Sequence, residues 1–571
     1  MSTTVVPAPT SLLRFGHARA EITPPVGIYH RMWGAARHDR ATGVHRPLVA
    51  DVLVLAPLEP APLEPAPPEG PEHHGQLLVR AHLDLVGLPQ ARHQALRRAL
   101  AAGAEVPLED ATVAYSHSHS AGWLLPDRSA FPGGELIAPY LDDLATRLGD
   151  AARRAAGALR PATVTYARGR CAMGANRDYW DAGRRHFVCG TNPDAVADDT
   201  VIAARVAGPR GETVATLVNY ACHPTTLAWE NTLLSPDYPG AMRETVERAT
   251  GAPCVFVLGA CGDIGPRYGF TGDPLAADQN GQELGYAALA ALAGLRPPAT
   301  DLRYAGPVLS GATLGVWQDA PFSASRQAQA ARFEGGLYTV DLPLKPLPDP
   351  DALQEELTAW ERRQGEADAR GDTGAARDHG ARAERARRWI ARLEDLPPGP
   401  TYAMPYAVHR FGDAVWVACG GEPYSALQAE LRRRFPTTAI VVSTLSGALQ
   451  VAYLLTAERY GLGLYQEEPS ILGPGCLEAL TGAIAGRIGA LSLPDPDALQ
   501  AELRRRFPTT AIVVSTLSGA LQVAYLLTAE RYGLRLYQEE PSILGPGCLE
   551  ALTGAIAGRI GALSPPDPGP A

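Results

Sequence analysis

Residues 253 to 269 read PCVFVLGACGDIGPRYG. The first half is a short apolar run of the kind that forms a buried strand, and the second half is a glycine-rich turn that carries Asp263. Glycines in such a turn allow the backbone N–H groups around Gly262 and Gly265 to approach a substrate oxygen closely. A tight turn that is capped by Asp263 fits the same pattern equally well, so both interpretations stay open at this point.

Strands and helices alternate on both sides of this stretch. Short runs rich in Val, Leu and Ile predict strands, and the spacing of apolar positions in two longer segments predicts amphipathic helices. The predicted strands cover residues 50–55, 77–86, 110–117, 201–206 and 213–221, and the predicted helices cover 90–103 and 135–158. This alternation predicts a mixed α/β (α+β) fold, in which layered β-sheets are flanked by helices.

Three segments depart from this pattern. Residues 57–76 are a Pro/Glu repeat, which predicts an extended loop because proline cannot donate hydrogen bonds to a sheet. Residues 350–396 are rich in Arg, Glu and Ala and predict a helical hairpin on the surface. Residues 439–457 carry no charge over the length of a membrane span, but Val and Ile at their start, then Ser, Thr and Gly, favour a strand followed by a loop.

Composition excludes several classes of partner. The 571 residues carry a net charge of −10, which offers no attraction to nucleic acid or anionic lipid. The eight cysteines show no paired spacing, so neither a disulfide framework nor a cysteine-type zinc site is indicated. The first residues lack the pattern of a secretory signal. We therefore expect a cytoplasmic protein with no nucleic-acid partner and no integral membrane segment.

The C-terminal region contains a near-identical repeat. Residues 426–496 recur as 498–568 and differ only at Gly463 versus Arg535 and Leu493 versus Pro565. Two copies are too few for a solenoid, so a tandem duplication is indicated. A fold with one place for this segment should accept the first copy, which predicts a domain over residues 1–496 followed by an additional copy. Adjacent near-identical segments can also exchange between molecules, which permits a homodimer.

Two histidine motifs suggest a metal site. SHSHSAG at 116–122 places His117 and His119 at i and i+2, on one face of a predicted strand, which suits a divalent metal but equally suits a hydrogen-bonded pair. In NYACHPTTL at 219–227, His223 follows the carboxyl end of a strand, where α/β sheets bind ligands.

Taken together, the motifs resemble the neutral, non-lysosomal ceramidases, which are zinc amidohydrolases that cleave the N-acyl bond of ceramide. ARAEITPPVG (18–27) is similar to the family's DITPPVG, SHSHSAG to THTHSGP, ANRDYW (175–180) to NRS, and GDIGP (262–266) to GDVSP. GGEPYS (420–425) is similar to PGEFT, and AYLLTAERYGLGLYQ (452–466) to HYITTYEEYQAQRYE. The resemblance covers residues 14 to 492 and implies a neutral-ceramidase-like catalytic domain.

The resemblance also implies roles for individual residues. Metal ligands would be His117, His223, Glu422 and Tyr453, a donor set suited to Zn²⁺. Arg177 would contact the substrate, His119 or Asp263 would move a proton, and Tyr465 or backbone N–H groups near Gly262 would stabilise the oxyanion. The family's essential serine is replaced by Gly265, so the mechanism has to rest on metal-activated water.

The sequence thus predicts a zinc-dependent hydrolase that cleaves the amide (N-acyl) bond of a small-molecule or acyl-bearing substrate. The missing serine leaves two alternatives: an inactive protein that only binds its ligand, and an esterase or lactonase that uses the same metal site.

Overall fold

The structure is a computed structural model that describes residues 4–58, 77–394 and 396–491. Most of the predicted Pro/Glu loop, at 59–76, and the tandem copy at 498–568 with Tyr525 lie outside the described residues. The predictions made for those two segments stay predictions.

The strands and helices of the described residues are as follows. The strands are β1 Val5–Val6, β2 Thr10–Glu21, β3 Gly43–Val44, β4 Val49–Ala56, β5 Leu78–Leu83, β6 Ala111–Tyr115, β7 Arg160–Arg170, β8 Gly174–Asn176, β9 Asp178–Asp181, β10 His186–Cys189, β11 Thr200–Ala207, β12 Thr213–Tyr220, β13 Leu233–Leu234, β14 Cys254–Leu258, β15 Ile264–Pro266, β16 Thr300–Leu309, β17 Thr313–Pro321, β18 Phe333–Pro343, β19 Thr401–Phe411, β20 Ala414–Cys419, β21 Glu422–Pro423, β22 Ala439–Ser443 and β23 Tyr453–Leu454. The α-helices are α1 Gln90–Ala104, α2 Ile137–Gly157, α3 Tyr238–Thr250, α4 Pro274–Ala293, α5 Ala324–Ala330, α6 Pro350–Ala369, α7 Thr373–Glu394, α8 Ala426–Arg434 and α9 Cys476–Ala490.

The chain divides into two compact units. Of the described residues, the smaller unit contains 4–7 and 300–321, in which β1, β16 and β17 form an antiparallel three-stranded sheet. The larger unit contains the described residues of 8–299 and 322–494, and the candidate site lies entirely within it. The predicted boundary of a domain at 1–496 stays a prediction.

Two sheets form the centre of the larger unit. The eight-stranded sheet has the order β14-β12-β11-β7-β2-β4-β5-β6, and the four-stranded sheet has the order β18-β19-β20-β22. Most neighbours are antiparallel, but β12 with β14, β5 with β6 and β20 with β22 are parallel. The prediction of a mixed α/β fold with layered sheets and flanking helices is confirmed.

Alternating side chains explain how these layers form. Successive strand residues point to opposite faces, so Val52 and Val54 pack in one buried cluster with helix α2, whereas Leu53 and Leu55 pack in another with Trp416 of the second sheet. Each such side chain contributes about 1.5–3 kcal/mol when it is fully buried. Both faces of the larger sheet are therefore covered, one by helices and the other by strands.

The helical hairpin predicted at 350–396 is present as α6 and α7, but it is not only a surface element. Trp389 and Ala386 of α7 are buried, because the small residues of this helix allow it to pack closely on its neighbours within the larger unit. The uncharged segment at 439–457 begins with strand β22 and continues as a loop, as predicted. Within the described residues, the helices are all too short or too polar to cross a bilayer.

Candidate metal centre

His117 follows strand β6 rather than lying on it. The strand ends at Tyr115, and His117 adopts a left-handed backbone conformation with φ of 65°. The prediction that His117 and His119 share one face of a strand is therefore wrong, although their rings still meet, with centroids 4.8 Å apart. Such a conformation costs about 1–3 kcal/mol in a residue other than glycine, and it is found mostly where function requires it.

Backbone carbonyls orient two of the histidine rings. Nδ1 of His117 lies 2.6 Å from the carbonyl oxygen of Val86, and Nδ1 of His223 lies 2.7 Å from that of Cys261. A carbonyl can only accept, so each Nδ1 carries the proton, and each Nε2 is left with a free lone pair. Burial, together with the charge of Arg177, lowers the pKa of His223 to about 4, which keeps this ring neutral at pH 7. A neutral imidazole is the form that binds a metal.

His119 joins the same group. The potential ligand atoms of His117, His119 and His223 lie within 4.8 Å of one another. Within the described part of the chain, Nε2 of His119 is buried and has no hydrogen-bond partner. Burial and the neighbouring histidines hold the pKa of His119 well below its ordinary value. A buried nitrogen without a partner is costly unless something binds it, so this atom points to a missing ligand.

Glu422 brings a carboxylate to the histidines. Its Oε2 lies 2.8 Å from Nε2 of His223 and 3.4 Å from Nε2 of His117. Burial alone would raise the pKa of Glu422, but the adjacent His117 and His223 rings hold it well below the usual value. The carboxylate is therefore ionised, as a metal ligand must be.

The backbone places Tyr453 directly beside Glu422. The short strands β21 and β23 are parallel and pair Glu422 with Tyr453, so that their side chains leave the backbone next to each other. The Tyr453 ring stacks on that of His223 at 6.0 Å. Arg177 donates to the Tyr453 hydroxyl at 3.1 Å and to the Gly262 carbonyl at 2.9 Å, and its Nη2 also lies 3.2 Å from Nε2 of His223. The four residues that the resemblance implies as metal ligands are thus close together, and Arg177 contacts two of them, His223 and Tyr453.

Hydrogen bonds hold the glycine-rich turn to the segment that carries Glu422. The N–H of Gly262 donates to the carbonyl of Pro423 at 2.9 Å and is therefore not available to a substrate oxygen. The two carboxylate oxygens of Asp263 accept from the backbone N–H and the hydroxyl of Ser425, at 2.6 and 2.9 Å. Both bonds run to another segment, so Asp263 fastens the turn to the residue before helix α8 instead of capping the turn itself. The turn fixes the segment that carries Glu422, and the proposed proton transfer by Asp263 has no contact in its favour.

The site opens into a cavity of about 610 Å³. The Tyr465 side chain lines it and is 53 % exposed, with its ring 6.0 Å from that of Tyr453, and its role at the oxyanion stays a prediction. An aromatic wall formed by Trp33, Trp229 and Phe270 lies beside His119, with the Trp33 and His119 rings 5.2 Å apart. Helix α7 supplies a polar wall, which the sequence analysis missed.

Thr225 is a second residue that the sequence analysis missed. Its hydroxyl lines the cavity and, among the described residues, is buried without a hydrogen-bond partner. A Cβ added to Gly265 would lie 3.9 Å from this hydroxyl and 3.6 Å from Cδ of Arg177. The hydroxyl of Thr225 is therefore next to Gly265, the position at which the resemblance implies a serine in the ceramidases. The signal was present in the sequence, since Thr225 comes two residues after His223.

The residues present fit a metal ion. Nitrogens of three histidine rings lie close together, and backbone carbonyls orient two of these rings. The third, His119, has a ring nitrogen without a partner among the described residues, and the ionised carboxylate of Glu422 lies beside the group. Orientation of ligand histidines through their other ring nitrogen is typical of metal sites. Fold and site together define a layered α/β protein whose buried histidine cluster could hold a metal.

The fold is that of the neutral ceramidases. The crystal structure of neutral ceramidase from Pseudomonas aeruginosa matches with a TM-score of 0.57 at 16% identity, over 90% of this chain and 77% of that chain. A structure described as ceramidase complexed with C2 matches with a TM-score of 0.54 at 18% identity, over 90% of this chain and 78% of that chain. No family model and no curated protein matches the sequence. The resemblance inferred from the sequence is thereby confirmed at the level of the fold.

Proposed function

We propose that this protein is a zinc-dependent hydrolase of amide bonds, with His117, His223, Glu422 and Tyr453 as the metal ligands. The observation that carries the proposal is the pair of imidazoles that are held by backbone carbonyls and share one glutamate. Nitrogen and oxygen donors of this kind suit Zn²⁺. The ceramidase fold of the structural neighbours supports an N-acyl bond as the one that is cleaved.

In the proposed reaction, water adds to the amide carbonyl, the carbon–nitrogen bond breaks, and a carboxylic acid and an amine are released. A zinc ion in this site would supply a Lewis acid that polarises the carbonyl and lowers the pKa of water. The buried Nε2 of His119 can take the proton from the water and return it to the departing nitrogen. Arg177 holds the Tyr453 hydroxyl in place through a hydrogen bond of 3.1 Å.

Thr225 supplies the hydroxyl that Gly265 cannot. Its Oγ1 is free of other hydrogen bonds among the described residues and lines the cavity. It can therefore donate to the oxygen of the attacked carbonyl, where preorganised donors contribute most. This assignment removes the need for a serine at position 265. The missing serine is the observation behind the alternative of an inactive ligand-binding protein, and the same donor would serve an esterase or lactonase.

The test combines metal content with turnover. Wild type is expected to contain about one zinc per chain and to hydrolyse members of a panel of N-acyl amides, esters and lactones. The variant His223→Ala should lose both zinc and turnover. The exposed His186 provides the matched control, and His186→Ala should keep both.

The outcomes separate the three functions. A folded wild-type protein that binds no zinc would contradict the proposal as a whole. Bound zinc with no turnover across the panel would instead establish the ligand-binding alternative. Turnover of esters or lactones without amides would establish the esterase or lactonase alternative.

A further inference from the structure

The polar wall of the cavity carries more positive than negative side chains. Helix α7 places Arg385, Arg388 and Arg392 along the cavity, together with Glu384. Glu468 faces them from the segment after Tyr465. The balance of charge on this wall depends on which of these groups pair with each other.

Two of the arginines are already neutralised. Nε of Arg385 lies 2.7 Å from Oε1 of Glu468, and its Nη1 lies 3.1 Å from Oε1 of Glu356. Nε of Arg388 lies 2.6 Å from Oε1 of Glu384, and its guanidinium also stacks over Trp123. These arginines are held by the protein itself and are not free to bind an anion.

Arg392 differs from both. Among the described residues it has no hydrogen bond and no ion pair, and its Nε is buried. Among the described residues, Arg392 makes a cation–π contact with Trp389, and its guanidinium carbon lies 5.3 Å from the centroid of that ring. Burial lowers its pKa, while the charges of Glu468 and Glu422 act in the opposite direction. An arginine stays charged in proteins, so Arg392 presents an unpaired cation to the cavity.

We propose that Arg392 binds the carboxylate of the substrate, and that the substrate is an N-acylated amino acid. This inference rests on the proposed function, because it names the class of amide that the site cleaves. The guanidinium fork matches a carboxylate in a bidentate arrangement. Arg392 is the one arginine of this wall without an ion pair in the described part of the chain, so a single carboxylate matches its charge, whereas a doubly charged anion would keep one charge uncompensated.

A second, aromatic wall of the cavity suits the acyl group. Trp33, Trp229 and Phe270 form a continuous set of ring contacts at 5.8 to 6.4 Å beside His119. Aromatic side chains of this kind bind apolar chains by burying area. His119 and Glu422 line the same cavity as Arg392 and the aromatic wall, so one substrate molecule can contact all of them.

The experiment measures binding separately from hydrolysis. Protein treated with a chelator is titrated calorimetrically with N-hexanoylglycine, with its neutral analogue N-hexanoylglycinamide, and with doubly charged N-hexanoyl-O-phosphoethanolamine. Wild type should bind the glycine compound about tenfold or more tightly than its amide. Arg392→Gln should abolish that preference, whereas Arg382→Gln, on the exposed side of the same helix, should keep it.

Equal binding of the acid and its amide by wild type would overturn the proposal, and so would a preference that survives Arg392→Gln. Tighter binding of the doubly charged compound would overturn the assignment to a carboxylate. Turnover is then measured with zinc present. A carboxylate preference that depends on Arg392, without any hydrolysis, would leave this subsite established and refute the proposed hydrolase.

Discussion

A single added methyl group is expected to disturb the candidate metal site at Gly262 but not at Gly265, although both glycines lie in the same turn. A Cβ at Gly262 would lie 2.4 Å from the carbonyl oxygen of Glu422 and 3.0 Å from the carbonyl carbon of Pro423. Ordinary carbon–oxygen contacts are about 3.3 Å, so the backbone of Glu422 has to move by about 0.9 Å. A metal ligand tolerates a displacement of only about 0.2 Å. Gly262→Ala should therefore remove Glu422 from the metal.

Gly265→Ala is the matched control. Its Cβ would meet Cδ of Arg177 at 3.6 Å and the hydroxyl of Thr225 at 3.9 Å, which are ordinary contacts. Its backbone is outside the left-handed region, so alanine fits without strain. This variant should keep its zinc affinity, and its free energy of unfolding should change by less than about 1 kcal/mol.

The assay is a zinc titration against a competing chelator, together with thermal unfolding of the metal-free protein. Gly262→Ala should bind zinc at least about tenfold more weakly and unfold with about 1–3 kcal/mol less stability, as expected for overpacking. Wild-type zinc affinity in Gly262→Ala would refute the argument that the turn positions Glu422. If Gly265→Ala lost as much zinc affinity and stability as Gly262→Ala, the whole turn, rather than the close approach of Gly262 to Glu422, would be responsible for positioning Glu422.

Four further predictions concern other parts of the larger unit. Thr225→Val should lower kcat by about 10²-fold without changing zinc content, and Thr225→Ser should restore the rate; an unchanged kcat in Thr225→Val would remove this hydroxyl from the mechanism. Tyr453→Phe should weaken zinc binding by about tenfold or more, whereas Tyr525→Phe should leave it unchanged, and the reverse pattern would assign the site to the second copy. Glu384→Ala should reduce the free energy of unfolding in urea by about 3–5 kcal/mol, because three arginines bond to this carboxylate, and a loss below 1 kcal/mol would contradict its structural role. Burial lowers the pKa of His93 to about 3, so unfolding takes up a proton below pH 6.5 and the stability falls as the pH falls. His93→Gln should therefore reduce the slope of unfolding free energy against pH by about 1.4 kcal/mol per pH unit between pH 6 and 4. An identical slope in the variant would show that His93 is not buried in its neutral form.

The layers of the fold could be predicted because they depend on local patterns. Strand β14 is a continuous apolar run, and helix α2 repeats its apolar positions with the period of a helix. The wall formed by α7 could not be predicted in the same way. Its buried side consists of Ala, Gly and one Trp, and small residues give little hydrophobic signal even where they allow close packing.

The residues of the candidate site could be identified from sequence motifs, whereas the contacts between them could not be predicted from the sequence. The pairing of Glu422 with Tyr453 depends on two strands of two residues each, which are too short to carry a pattern. The orientation of His117 depends on a left-handed backbone and on the carbonyl of Val86, which lies 31 residues away. Long-range hydrogen bonds of this kind have no trace in the sequence around either residue.

The replacement of serine at position 265 is better explained by chemistry than by packing. Glycine is required where a side chain would clash or where the backbone is left-handed, and neither condition holds at Gly265. The nearest side chains to its absent Cβ are Arg177, which contacts the metal centre, and Thr225, whose hydroxyl has no partner among the described residues. A serine would fit there and could satisfy Thr225. Without that serine, the Thr225 hydroxyl keeps no partner among the described residues, which is the arrangement that our proposed contact between Thr225 and the substrate requires.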